Sequence, residues 1–519
     1  MNFKYRFGFI PILFSIIVFY FIYFCYESQK NFKNGHKPKG NYQTKNGNLN
    51  VFIKSQAVKN AMAHAWNGYS TYAFGKDELL PVTNGWKNNW GGWGVTLIDS
   101  LDTLYIMDMH DDFKKARDFV ETIDFSKTVG VDSISFFETT IRVLGGLISA
   151  YDLSNDKIFL KKAVEIADIL LIAFDQNSGI PYKKIDVNNK KAIYGYGTSI
   201  AEIGSFQLEF MRLYNLTGNI EYHKKSQHVI DFIDKSEVPI SGLYPKLVNI
   251  TSGQLEGILT LGGDADSFYE YLLKLYIMHG KNGEQFRRMY EQSVDSIKEH
   301  MIYRSNKGSK LIFVSELYES TFAPSGEMQH LACFLPGLLA LGSKELNRPD
   351  DLKLAKELMK TCYYFYKGTK TGLSPEKVKF SFDSNEHSWG SKSKNINIVN
   401  RKPNDEPDFN IVKAEYILRP EAVESLMILY RVTGDEIYRE WGWIIFNSFE
   451  KHLKTPKAYS AFRDVSIDEG ASSKTDSMES FFLAETLKYL YMLFSPPDFY
   501  SLDEYVFNTE AHLFKIMKR

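Results

Sequence analysis

The chain has 519 residues, 44% hydrophobic and 24% charged, so it is too apolar to be globally disordered. Its 62 Lys and Arg against 63 Asp and Glu leave a net charge of −1, which excludes the basic footprint of a nucleic-acid binder. Three cysteines are too few for a disulfide scaffold or a four-thiolate zinc site, whereas 38 Phe, 32 Tyr and 7 Trp supply a large core and stacking surfaces.

In chain order, residues 1–6 form a short tail and residues 7–26 a run of 20 without a charge, rich in Phe, Ile, Tyr and Val. Such a run spans the roughly 30 Å hydrocarbon core as one transmembrane helix. It ends in Tyr23, Phe24, Cys25 and Tyr26 with no small-residue cleavage site, so a retained signal anchor is expected rather than a cleaved peptide. Lys4 and Arg6 precede it and Lys30, Lys33, Lys37 and Lys39 follow, so basic residues alone do not orient it. Residues 27–50, rich in Lys, Asn and Gly, read as a flexible stem. Two sequons, at Asn215 and Asn249, suit a lumenal domain, but such tripeptides arise easily by chance.

From residue 51 to 519, helix-period apolar patterns dominate and strand signals are sparse. At roughly 150 residues per domain the length allows three or four domains, but a repeat argues otherwise. Segments 150–159, 213–222 and 429–438 each read as an aromatic helix end, a short turn with Ser-Asn or Thr-Gly, and a new helix start. Nearly all-apolar helices are expected to begin near Thr96, Phe136, Ile200, Asp266, His330, Arg419 and Asp476, each preceded by a Lys-rich amphipathic helix such as 157–174 or 350–366. Apolar helices belong inside and amphipathic ones outside. The expectation is one all-α ring of seven helical hairpins.

Polar residues follow the same period. Glu138, Glu202, Asp266 and His330 stand 64 residues apart, as do Glu421 and Glu485. In a ring such positions converge on one end of the axis and line a single pocket. Acidic residues also favour first turns as caps, which is the competing explanation for each one taken alone. Arg142 and Arg419 lie close in sequence to Glu138 and Glu421 and offset charge, and Tyr269 and Phe481 add aromatic faces. Carboxylates, guanidinium groups and aromatic rings together suit a polyhydroxylated ligand, and two carboxylates across a glycosidic bond can hydrolyse it. No nucleophile elbow, zinc-protease or phosphate-loop pattern is present. A binding ring without catalysis stays open on these grounds; an isoprenoid synthase does not, because Asp111-Asp112 lacks a third Asp three residues later.

Seven long motifs in order carry a family resemblance: WGGWGVTLIDSLDTL from Trp90, FETTIRVLGG from Phe137, AEIGSFQLEF from Ala201, DSFYEYLLK from Asp266, LRPEAVES from Leu418, MESFFLAETLKYL from Met478 and VFNTEAH from Val506. Over about 61–512 the chain resembles class I α-1,2-mannosidases, glycoside hydrolase family 47, which process N-glycans in the endoplasmic reticulum and Golgi. The resemblance implies an (α/α)7 barrel with a C-terminal hairpin plug at 505–507. It also implies inverting, Ca²⁺-dependent hydrolysis of terminal α-1,2-linked mannose from high-mannose N-glycans by a type II membrane protein with a lumenal catalytic domain.

By motif position, Glu138 corresponds to the proton donor acting through a water and Glu421 to the base. Asp266 is the third catalytic carboxylate, an alternative acid or a positioner. Inversion needs acid and base about 6.5–9.5 Å apart or more. The calcium ligand falls on Thr509, with waters completing a shell of six to eight oxygens. Glu202, Glu424, Glu485 and Glu510 match positions holding those waters or sugar hydroxyls. Arg142, His330, Arg419 and Phe481 match further pocket positions, although a histidine in His330's setting is by its residue type more often a hydrogen-bonded core residue.

Cys333 and Cys362 match the family's disulfide, leaving Cys25 in the apolar segment. That pair, with the retained carboxylates, favours a processing enzyme over the alternative of an ER-degradation mannosidase-like recognition protein with little catalysis. Two positions depart from the family pattern. Gln329 stands where an acid is common before the histidine. Asp264 stands where ER-type relatives carry Arg and Golgi types an aliphatic residue, so the resemblance assigns neither branch preference nor compartment.

Overall fold

Alternation of buried and amphipathic helices persists from end to end of a computed structural model, which describes residues 45–195, 197–387, 389, 407–468 and 470–517. The apolar segment 7–26 and residues 27–44 of the stem lie outside the described residues. Among the described residues no helix is long and apolar enough to cross a membrane.

The inner helical segments are 95–106, 136–154, 200–217, Asp266–Met278, 330–346, Glu421–Thr433 and 482–493, seven among the described residues. Outer helices precede them at Lys45–Tyr72, His110–Thr122, Lys157–Leu170, Ile220–Lys235, Glu284–His300, Pro349–Lys367 and Ile437–His452. Each inner segment contacts the next, and 482–493 returns to contact 95–106, so the ring closes. The pair Asp266–Met278 and Glu284–His300 shows the division of labour. Every residue from Ser267 to Met278 is buried, whereas the outer helix buries only Phe286, Met289, Tyr290, Ser293, Val294 and Ile297. That i, i+3, i+4, i+7 spacing is one face of a 3.6-residue helix.

The repeated turns join inner to outer helices. Inner helices end on Asn155, Gly218 and Gly434, all left-handed with φ of 58°, 75° and 70°. Asp156, Asn219 and Asp435 then accept from Ile158, Glu221 and Ile437 N–H groups to start the outer helix. The last inner segment departs from expectation: it begins at Phe482 rather than near Asp476. Asp476 instead accepts from the Val82 N–H at 2.8 Å and the Thr83 hydroxyl at 2.6 Å, tying a distant turn to this entry loop.

Strands of two to six residues, too short to show alternation in the sequence, occupy the outer-to-inner connections. Several set where an inner helix starts. Ile134–Ser135 pairs with 184–185 just before Phe136, Gly197–Ser199 with 247–249 just before Ile200, and Glu327–Gln329 with 377–379 just before His330. The Trp90–Trp93 loop is organised by buried Asp77, whose carboxylate accepts from the N–H groups of Trp90, Gly92, Gly94 and Val95 at 2.8–3.2 Å. Gly92 and Gly94, at φ 77° and 76°, permit that wrap.

The C-terminal hairpin, Tyr505–Phe507 against Leu513–Lys515, fills the ring. Its second strand runs along the helix Gly145–Ser154: His512 lies at Gly145 and Gly146, Leu513 N–H reaches Ser149, and Lys515 N–H reaches Asp152. The hairpin therefore enters from the C-terminal ends of the inner helices, and its tip, 508–512, points toward their N-terminal ends.

Candidate active site

A pocket opens where the inner helices begin, lined by Glu138, Arg142, Glu202, Asp264, Asp266, Glu270, Arg419, Glu421, Glu424, Phe481, Glu485, Thr509 and Glu510 with a few apolar neighbours. Of the expected pocket positions all but Tyr269 and His330 meet here; Tyr269 is buried away from the lining, its hydroxyl accepting from the Tyr244 N–H at 3.0 Å. His330 does not reach the lining. Fully buried, it stands behind Glu421, its Nδ1 2.7 Å from the Glu421 carboxylate and its Nε2 2.8 Å from the Tyr366 hydroxyl.

Glu421 opens its helix after Pro420 and after Leu418 in a left-handed conformation (φ 74°), which turns the chain sharply into the pocket. Burial pushes its carboxyl upward. The hydrogen bond from His330 and the charge of Arg419, 3.8 Å away, outweigh that and hold it below the usual range. Arg419 is itself oriented by Glu376, whose two oxygens accept at 3.0 and 3.2 Å.

Across the pocket Arg142 donates to Glu138 at 2.8 Å, to Ser480 at 3.1 Å and to Glu510. Phe481 lies between the two guanidinium groups, 5.6 Å from Arg142 and 5.9 Å from Arg419. Arg142 lies within one π-helical stretch, Thr139–Leu144, and Phe481 caps another, Phe482–Thr486; such widened turns recur at functional sites.

The remaining carboxylates crowd one another. Asp266, part of whose surface still faces the pocket, is pushed up to about 7 by burial with help from Glu421 and Glu270. Glu424 is raised to about 8, by burial first and then by Glu270, against the lowering effect of Lys274. Burial also drives Glu485 and Glu510 well above the ordinary range. Glu202 serves two ends: it lines the pocket, and with Ser199 it forms a reciprocal capping box. For that residue the helix-cap explanation holds as well. Among the described residues no three His, Cys, Asp or Glu side chains gather closely enough to chelate a metal on their own.

Sequence reasoning missed Glu270, which lines the pocket and pairs with buried Lys274. Its signal was present, since Asp266, Glu270 and Lys274 follow at i, i+4 and i+8 on one helix face. Leu331 and Phe334, apolar lining residues, were also missed. Of the two departures, Gln329 stays outside the lining and bridges Glu316 at 2.6 Å to the Gly263 N–H at 3.2 Å. Asp264 lines the rim, left-handed at φ 75° and paired with Lys246 at 3.1 Å. Cys333 and Cys362 are joined by a disulfide that ties an inner helix to its outer partner.

A closed ring of helical hairpins with an acidic, arginine-bracketed aromatic pocket at one mouth is the equipment of a glycoside hydrolase. The sequence profile of glycosyl hydrolase family 47 matches residues 61–516, and the chain belongs to that family. It is 42% identical over 479 residues to the mannosyl-oligosaccharide 1,2-alpha-mannosidase MNS1 of Arabidopsis thaliana, covering 90% of this chain and 79% of the relative. With the endoplasmic reticulum mannosyl-oligosaccharide 1,2-alpha-mannosidase of Homo sapiens it shares 42% identity over 472 residues, 89% of this chain and 64% of that one. The solved alpha-1,2-mannosidase from Trichoderma reesei superposes with a TM-score of 0.82 at 32% identity, covering 90% of this chain and 99% of the other.

Proposed function

We propose that the protein trims terminal α-1,2-linked mannose from high-mannose N-glycans by inverting hydrolysis. The observation that carries this is the contrast within one pocket between Glu421, held ionised, and Asp266, which retains a proton to about pH 7. Groups whose surroundings drive their protonation apart are what acid–base cleavage of an acetal requires. Glu421, steadied by His330, takes a proton from water as that water attacks the anomeric carbon. The glycosidic bond breaks and its oxygen receives a proton from one of the two other catalytic carboxyls, Glu138 beside Arg142 or Asp266 near Glu421 and Arg419. Phe481 offers its ring to the apolar face of the sugar, and the two arginines orient hydroxyls. At about 280 Å³ the cavity is near the small end of ligand pockets, suited to one terminal sugar with the glycan extending past Asp264.

Ca²⁺ is proposed as cofactor. Glu424, Glu485 and Glu510 line the pocket with Thr509 and offer oxygen donors, and burial and mutual repulsion raise all three carboxyls, a setting a divalent ion relieves. Thr509 would be its protein ligand, with water making up the shell. When bound, the ion supplies positive charge that organises sugar hydroxyls. The uncharged run 7–26 supports a membrane anchor, and the disulfide supports an oxidising lumen such as the endoplasmic reticulum or Golgi.

The test is incubation of the lumenal domain with a nine-mannose glycan, with and without EDTA. Release of mannose in its β anomeric form, detected by NMR before mutarotation, is expected. No release with calcium present overturns the activity; α-mannose overturns inversion alone; release after exhaustive chelation overturns the calcium assignment alone.

A further inference from the structure

Thr509 and Glu510 reach the pocket from outside the ring of helices. Both sit on the hairpin tip, on backbone belonging to neither the inner nor the outer helices. Directly beneath is Asn508, fully buried, with every polar valence of its side chain used. Its Oδ1 accepts from the Glu510 N–H at 2.9 Å and the His512 N–H at 2.8 Å. Its Nδ2 donates to the Ile141 carbonyl at 2.9 Å and to the Glu209 carboxylate at 2.8 Å. Ile141 lies one residue before Arg142, within the π-helical stretch that carries the arginine. Glu209 also accepts from the Tyr271 hydroxyl, which in turn accepts from the Thr509 N–H at 3.4 Å.

A second, independent observation concerns space. A Cβ on Gly145 would stand 2.6 Å from Asn508 Nδ2 and 3.0 Å from His512 Cδ2, and one on Gly146 would stand 3.3 Å from His512 Cε1. At 2.6 Å a Cβ on Gly145 would force Asn508 to move, so the tip reaches its depth only because that position is bare. Behind it, His512 is clasped by Asp99 and Asp102 at 3.0 Å each, and Lys488 donates to the carbonyl of Ala511, a non-glycine in the left-handed region (φ 59°). A conformation of that kind persists where its surroundings over-determine it.

We propose that Asn508, seated on Gly145, is the positioning residue of this active site, setting the height of Thr509 and Glu510 against Arg142 and the pocket floor. The inference rests on the reading of the pocket as catalytic. It concerns geometry transmitted through the tip, since Asn508 touches no substrate.

Two variants test it in the lumenal domain. Asn508→Asp keeps the acceptor for Glu510 and His512 but turns an oxygen toward Ile141 O and Glu209. Gly145→Ala pushes on the same seat from the opposite side and changes no pocket group. Each is expected to lower kcat at least tenfold in the folded fraction, to raise severalfold the calcium concentration for half-saturation by calorimetry, and to regain activity in part at high calcium. A purely structural role would lower the melting temperature while leaving kcat of the folded fraction and the calcium isotherm unchanged, and that result overturns the proposal. Hydrogen exchange on the unmodified protein is a check that needs no variant. The Glu510 and His512 amides should exchange at the slow rate of the core, and exchange at loop rates overturns the clamp. Glu421→Gln separates this inference from the functional one, because it should lower kcat by about 10²–10⁴ yet retain the unmodified calcium isotherm.

Discussion

Glu421 and Asp266 are both carboxylates at helix starts in one pocket, and their neighbours set them apart. Replacing Glu421 with Gln should lower kcat by about 10²–10⁴, the range associated with loss of a general base, and unchanged turnover would remove it from that role. For the acid, Glu138→Gln and Asp266→Asn can be compared on α-mannosyl fluoride, whose leaving group needs little protonation. The variant of the true donor should recover on the fluoride and stay slow on the glycan. Asp266 also links pH to stability. Its folded-state value of about 7 lies above the ordinary 3.8, so the native state binds a proton between these values that the unfolded chain releases. Stability from this group is complete below about pH 4 and declines as pH rises to about 7. In EDTA, Asp266→Asn should therefore melt with the unmodified protein near pH 4 and a few degrees above it at pH 8. Equal melting temperatures at both pH values would remove the burial argument.

Elements show which local signals survive folding. The left-handed ends of the inner helices at Gly218 and Gly434 were legible as Thr-Gly turns. A Cβ at either position meets nothing within 4 Å, so glycine is required there for its φ alone. Gly434→Ala should cost about 1 kcal/mol, read as a lower denaturation midpoint, with kcat unchanged. Gly145 is the contrast, a helical glycine whose constraint comes from Asn508 across the ring. No local signal distinguishes the two kinds. The short strands before Phe136, Ile200 and His330 escaped notice because two or three residues carry no period, although their pairing sets where each catalytic helix begins. The start of the last inner helix was misplaced by six residues, since Asp476 resembles a cap and in fact serves a turn at residues 82–83.

At the scale of the molecule, the described residues from 51 onward form a single compact unit in place of the three or four domains that length alone allows. Because the ring closes through contacts between distant segments, a crosslink between neighbouring helices adds to its stability. Joining Cys333 to Cys362 across 29 residues should contribute about 2–4 kcal/mol. A Cys333→Ser, Cys362→Ser pair should thus unfold at lower urea with kcat of the folded fraction retained. An unchanged midpoint would show that the bridge adds nothing to equilibrium stability.

The hairpin count, the convergence of carboxylates and the family were readable because each is written as a period or a contiguous motif, and period and motif survive in one dimension. The same holds for Glu270, one turn from Asp266, once the helix face is drawn. His330 could not be placed that way. Its 64-residue register pointed into the pocket, yet the side chain turns back to brace Glu421, because hydrogen-bond partners at Tyr366 and Glu421 lie 36 and 91 residues away. Nor could the protonation of Asp266 and Glu424 be read beforehand, since burial and the distance to other charges are properties of the closed ring. Thr509 carries no signal of its own. Its place under the pocket was decided where a bare Gly145-Gly146 turn let a hairpin tip descend the axis of the barrel and bring Asn508 within reach of Glu209.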